Sequence, residues 1–233
     1  MIPFKVVGIG PGSRDYLLPV ALDAIRNADF LIGSPRLLEI FNNLGKEVFS
    51  YRSNLPALMD FIEEQRQTQN IAILVSGDPG YHSLLGAVSR RFPEDAYEVI
   101  PGISSFQVAM ARRKKSWQHD LLVSCHGKDF GIIKQAVLDA LRTDRRVIFL
   151  TDYRWNPSAI AAELVAAGIT VHRIWLAENL TTPEERFMEV TLEELAVESR
   201  VAADKNGTDS NLGSTGGTVE NKKEYRLCVM IIE

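Results

Sequence analysis

The sequence predicts an α/β chain in two parts, the first built on a mostly parallel sheet and the second on a mixed one. Three observations carry that expectation. Apolar β-rich segments alternate with helically spaced ones through the first half. Three of those β segments run straight into Pro/Gly loops. Near the end, three β-rich segments follow one another, with no convincing helix between the last two.

FKVVGI (4–9) is β-rich and opens onto the loop GIGPGS. Leu18, Ala21, Leu22, Ile25 and Ala28 repeat at helical spacing. FLIG (30–33) reads as a short strand, and Leu37, Leu38, Phe41 and Leu44 as a helix after Pro35, a good first-turn residue. Val48 to Tyr51 reads as a strand and Leu55 to Gln65 as an amphipathic helix. IAILVS (71–76) is the clearest buried strand, followed by SGDPGYHS (76–83) and a helix from Ser83 to Arg91. YEVI (97–100) leads into PGISSF (101–106) and a helix through Met110, with Ser104 or Ser105 as its cap. The short βα alternation favours parallel pairing.

A polar bridge, RRKKSWQHD (112–120), separates a first domain at 1–113 from a second at 118–233. In the second, LLVSC (121–125) and RVIFLT (146–151) read as strands, with helices over Ile132 to Leu141 and Pro157 to Ala167. VHRIWLAENL (171–180), RFMEVTL (186–192) and YRLCVMII (225–232) read as strands paired antiparallel at one edge. Residues 199–222, rich in Gly, Ser, Thr and Asn, read as a mobile surface loop.

Composition narrows the function. The net charge of −4 argues against a general nucleic-acid binder. The cysteines, Cys125 and Cys228, stand far apart in no metal-ligand spacing, which predicts a reducing compartment with neither a disulfide framework nor a zinc site. No leader-like or membrane-length apolar run is present, so a cytoplasmic protein without a membrane span is expected.

The glycine loop has two readings from its residues: a dinucleotide site, or a tight turn with no ligand. The dinucleotide pattern G-x-G-x-x-G fits at Gly8 and Gly10 but meets Ser13 at the third glycine. Asp29, at about the spacing of the ribose-binding acid, precedes its strand instead of ending it. Asp78 stands where open α/β sheets bind ligands, at a strand's carboxyl end, although taken alone the loop is better explained as a Pro-Gly turn with a capping Asp. Three such loops on one sheet can share a crevice.

GIGPG, SGDPGYH and PGISSFQVAMAR, with ENLTTPEERF (178–187), resemble the tetrapyrrole methylases, S-adenosylmethionine-dependent enzymes of the cobalamin and sirohaem pathways. Within that family, IGSPRLLEIF (32–41) and VSCHGKD (123–129) are most similar to the CbiE type, which methylates C5 of a corrin precursor, precorrin-7 or cobalt-precorrin-7. The resemblance implies two α/β domains with S-adenosyl-L-methionine in the cleft between them, a tetrapyrrole substrate and a homodimer. It implies cofactor contacts at Pro11, Gly77, Asp78, Pro79, Tyr81, Ser104 and Ser105, and in the second half at Leu150 and Ala177. Gly8, Gly10 and Gly12 are expected to let the first loop lie against the cofactor.

No Ser/His/Asp or Cys/His arrangement demands covalent catalysis, and no catalytic base is assigned, with Asp78 only a secondary possibility. A polycarboxylate substrate calls for cations. His126 and Lys128, after LLVSC, are the substrate candidates, and His82 is a third. For His126 a plain turn role remains equally open, and His82 could simply pack beside Tyr81. Arg36 and Arg154 read as surface charges, and RRKK as cations at a helix C-terminus.

Overall fold

The computed structural model describes residues 1–51, 54–127, 129–170, 173–198 and 228–233. The chain divides into two compact units, Met1–Val108 and Ala109–Glu233, and the division falls inside one helix, α5 (Ser105–Arg113).

The first unit holds β1 (Phe4–Gly8), β2 (Phe30–Gly33), β3 (Glu47–Ser50), β4 (Ile71–Val75) and β5 (Tyr97–Ile100) in the order β3-β2-β4-β1-β5. Every pairing is parallel. Side chains alternate between two cores. Phe4, Val6, Ile32, Ile71, Ile73 and Val75 face one side, whereas Val7, Leu31, Ala72 and Leu74 face the other. A strand covered on both faces needs an unbroken apolar run, which is what IAILV supplies. Burying each of its larger side chains contributes about 1.5–3 kcal/mol.

Helices α1 (Pro19–Asn27) and α2 (Pro35–Glu39) pack on the second of these cores through Ala21, Ala24, Ile25, Leu37 and Leu38. Helices α3 (Leu55–Gln65) and α4 (Leu85–Arg91) pack on the first through Leu58, Met59, Ile62 and Val88. From β1 to β3 the chain steps one way along the sheet, and from β3 to β5 it steps the other way. Reversing direction while keeping one crossover hand obliges the helices to change face. The helix read from Leu37 to Leu44 is shorter than its apolar spacing suggests: α2 stops at Glu39, and a 3-10 turn at Asn42–Leu44 closes on Gly45.

The second unit is a mixed sheet of β6 (Leu121–Ser124), β7 (Val147–Leu150), β8 (Ile174–Glu178), β9 (Arg186–Val190) and β10 (Cys228–Ile232), in the order β6-β7-β10-β8-β9. Helices α6 (Phe130–Arg142) and α7 (Pro157–Ala166) cover the face that carries Val123, Phe149, Leu176 and Met230.

Two expectations change here. Antiparallel pairing is not confined to an edge. β8 and β9 do pair antiparallel at the border, but β10 lies in the middle, antiparallel to both β7 and β8 and wholly buried. A helical stretch at 192–198 also stands between the last two strands, where none was expected. It starts on a reciprocal cap. The Thr191 N–H donates to Glu194 Oε2 at 2.8 Å, and the Glu194 N–H donates to Thr191 Oγ1 at 3.2 Å. Leu192, Leu195 and Ala196 dock it on the core. The loop expected at 199–222 lies outside the described residues.

Candidate functional site

In the first unit β1 and β4 are neighbours, yet the chain leaves them in opposite directions, toward β2 and toward β5. Their following helices pack on opposite faces of the sheet, and a strand pair of that kind marks where open α/β sheets bind ligands, at the carboxyl ends. The Pro/Gly loops after β1, β4 and β5 meet there. The Gly77 N–H donates to Gly10 O at 2.9 Å, forming an isolated bridge between the first two loops. Asp78 joins the second loop to the third: its Oδ1 accepts from the Gly80 N–H at 2.8 Å and its Oδ2 from the Gly102 N–H at 3.0 Å.

The close approach expected of the first glycine is an approach to the chain itself. A Cβ on Gly8 would stand 2.6 Å from Gly77 O and 2.7 Å from Gly102 N. A Cβ on Gly102 would stand 2.8 Å from Gly8 C and closer still to Gly77 O. The three loops are therefore packed main chain against main chain, and the glycines make that packing possible.

Around this knot stand the expected cofactor residues of the first half. Pro11 and Pro79 are buried, and Asp78 is half-buried. The Tyr81 ring meets Phe106 edge-on at 5.6 Å and His82 at 4.7 Å. His82 is exposed, in the left-handed region with φ of 52°. Ser104, not Ser105, is the residue before α5. Its N–H donates to Gln107 Oε1 at 2.8 Å, so S-x-x-Q acts as half of a capping box.

Segments 8–13, 76–83 and 101–106 contain no lysine or arginine. Their polar groups are main-chain amides, hydroxyls, the His82 imidazole and the Asp78 carboxylate. Such a set, with no fixed cation, suits a neutral nucleoside joined to a sulfonium cation. The dinucleotide reading meets two further obstacles. A 3-10 turn, Arg14–Tyr16, follows the first loop, and α1 begins only at Pro19, so the first loop does not open directly into a helix as the dinucleotide pattern requires. Asp29 is occupied elsewhere, its Oδ2 accepting from Asn70 N and Nδ2 at 2.9 and 3.0 Å. The Asn70 main-chain N–H, with its side-chain amide, holds the Asp29 carboxyl below the usual aspartate range.

In the second unit β6, β7 and β8 run the same way, so their carboxyl ends share an edge. Leu150 and Ala177 both pair with Val229 of β10, which places them in one row on the face opposite α6 and α7. His126 follows β6, exposed, with Nδ1 3.2 Å from Ser124 Oγ. Lys128 lies outside the described residues. The RRKK run has partners the helix-end reading missed. Arg112 grips Glu185 through Nε at 2.8 Å and Nη2 at 3.3 Å. Arg113 Nη2 donates to Glu233 at 2.8 Å, and its guanidinium lies 4.0 Å from the Trp175 ring centroid. Glu185 also accepts from the Thr181 N–H at 2.7 Å, so it organises the ENLTTPEERF turn. Among the described residues no cluster of His, Cys, Asp or Glu could hold a metal, and no helix is long and apolar enough to cross a membrane.

A parallel sheet that carries interlocked Pro/Gly loops at its carboxyl edge, followed by a mixed α/β unit, defines an α/β protein of two units. The chain belongs to the tetrapyrrole (corrin/porphyrin) methylases, whose family model matches residues 3–196. It is 34% identical over 195 residues to the probable cobalt-precorrin-7 C(5)-methyltransferase of Methanocaldococcus jannaschii, covering 82% of this chain and 90% of that one. It is also 34% identical over 182 residues to the cobalt-precorrin-7 C(5)-methyltransferase of Salmonella typhimurium, covering 78% and 87%. The crystal structure of the methyltransferase CobJ superposes with a TM-score of 0.74 at 20% identity, covering 100% and 94%.

Proposed function

We propose that this chain is an S-adenosylmethionine-dependent C-methyltransferase that acts at C5 of precorrin-7 or cobalt-precorrin-7. The carrying observation is 34% identity, over 90% and 87% of their lengths, to two relatives named for methylation of cobalt-precorrin-7 at C5. The charge pattern of the three loops supports the cofactor. The bound cofactor would supply an electrophilic methyl group on a sulfonium, already equipped with a good leaving group. The protein's task is then to position donor and acceptor in line and to exclude water. Pro11, Gly77, Asp78, Pro79, Tyr81, Ser104 and Ser105 are the residues proposed to hold the cofactor. Asp78 acts chiefly by fixing the second and third loops against one another. The exposed imidazole of His126, fixed by Ser124, is a proposed partner for a substrate carboxylate, and His82 is another. The same reading makes the protein a cytoplasmic homodimer.

A thermal melt with S-adenosylhomocysteine, and separately with NADP, tests the cofactor. A ligand at a hundred times its dissociation constant stabilises by about 2.7 kcal/mol. For a chain of this length that raises the melting temperature by roughly 5–10 °C. A shift with the sulfur ligand alone is expected, and a shift with NADP alone would discard the reading. The acceptor is then tested by mass spectrometry of the corrin precursor after incubation with S-adenosylmethionine, where the gain of one methyl group at C5 is expected.

A further inference from the structure

Among the described residues, the guanidinium groups of three arginines have neither an ion pair nor a hydrogen bond nor an aromatic partner: Arg26, Arg36 and Arg90. Arg26 and Arg90 stand in the last turns of α1 and α4, where the helix terminus itself favours a cation. Both helices run back toward the amino edge of the first sheet, away from the loops. Arg36 differs. It belongs to the five-residue helix α2, whose single turn offers little dipole to hold a cation. It also stands at the sheet's carboxyl edge, three residues beyond the end of β2. β2 pairs directly with β4, the strand that ends in SGDPG. Its side chain opens to solvent, yet enough protein surrounds the guanidinium that desolvation pulls its pKa below the usual arginine value. Removing water from a cation without supplying an anion is unfavourable on its own.

A second polar head shares this end of the sheet. Tyr51 follows β3, and its N–H donates to Gly33 O at 3.2 Å, which keeps it beside the end of β2. It is half-buried, burial pushes its phenol above the usual tyrosine value, and no hydrogen bond involves its hydroxyl among the described residues.

We propose that Arg36 binds a peripheral carboxylate of the tetrapyrrole substrate, at the carboxyl end of β2. This rests on the methyltransferase reading above and adds to it a residue that sets substrate affinity. A planar guanidinium offers two parallel N–H donors to a carboxylate, which a lysine would not. The anion restores the solvation the site has removed, so the interaction is a charge-assisted hydrogen bond in a partly dry place.

The test uses the full chain and two probes, cobyrinic acid and its heptamethyl ester, followed by fluorescence quenching beside S-adenosylhomocysteine binding. For Arg36→Gln, the dissociation constant of the acid is expected to rise at least about tenfold, as loss of a charged hydrogen bond implies. The ester is expected to bind both forms alike, and S-adenosylhomocysteine affinity should not change. Arg36→Lys should recover only part of the loss. Equal binding of the acid by wild type and Arg36→Gln would overturn the inference and leave the methyltransferase reading standing. A similar loss for the ester would overturn it too, because the carboxylate would then not be the group recognised. If the wild type binds neither tetrapyrrole, the substrate reading itself falls, and this inference with it.

Discussion

Asp78 shows how one side chain serves two needs. Each of its oxygens accepts from a main-chain N–H on a different loop. Removing the carboxylate leaves the half-buried Gly102 N–H short of an acceptor, while the exposed Gly80 N–H can turn to water. A group stranded in that way costs about 1–3 kcal/mol. Asp78→Ala is therefore expected to lower stability by about 2 kcal/mol in urea unfolding while the chain still folds, and to abolish S-adenosylhomocysteine binding in calorimetry. Unchanged binding in that variant would separate the loop knot from the cofactor. The position of Asp78 after a buried strand was readable from SGDPG. Its partner Gly102 was not, because that contact joins segments distant in sequence. The same limit governs Gly8. Its glycine is legible as a demand for close approach, but the sequence cannot say that the approaching atoms belong to Gly77 and Gly102.

At the scale of elements, local signals were readable where their partners lie a few residues away. Ser104 with Gln107, and Thr191 with Glu194, are both helix-start patterns written in the chain. The second was passed over because the apolar stripe behind it, Leu192, Leu195 and Ala196, is short. The β8–β9 turn depends instead on Arg112, which no local pattern announces. Arg112 donates to Glu185, and with the Thr181 N–H it holds the Glu185 carboxyl below the usual glutamate value of 4.5. A lowered pKa means stability that is fully present above pH 4.5 and lost as the pH falls through the folded value. The pair is partly exposed, so Glu185→Gln is expected to cost only about 1 kcal/mol at pH 7. Thermal unfolding of both forms across pH 3–7, the range that spans the carboxylate titration, checks the sign. The gap between them should close on the acid side, and a gap that widens there would contradict it.

For the molecule as a whole, the alternation of strands and helices was enough to predict a parallel first sheet and a mixed second one. Strand order was not. In the first unit the apolar pattern marks β4 as buried on both faces but does not say that β1 and β2 flank it. In the second, CVMII (228–232) is an unbroken apolar run, and that was the available hint that it belongs in the interior. The consequence for stability is concentrated at Met230, fully buried in the second unit's core. Met230→Ala is expected to destabilise that unit by about 2–5 kcal/mol. Calorimetry should show the loss in the transition that carries the tryptophan signal, because Trp117, Trp155 and Trp175 all lie in that unit.

The central position of β10 also sets an order of events during synthesis. β7 and β8 each pair with β10 and not with each other. Until residues 228–232 leave the ribosome, both strands present a bare hydrogen-bonding edge, whereas every strand of the first sheet has emerged by residue 100. The nascent chain thus carries a completed half and a half held open. Unpaired edges of that kind invite association with other chains, so translation rate and chaperone supply between the synthesis of β7 and that of β10 should govern the yield of folded protein.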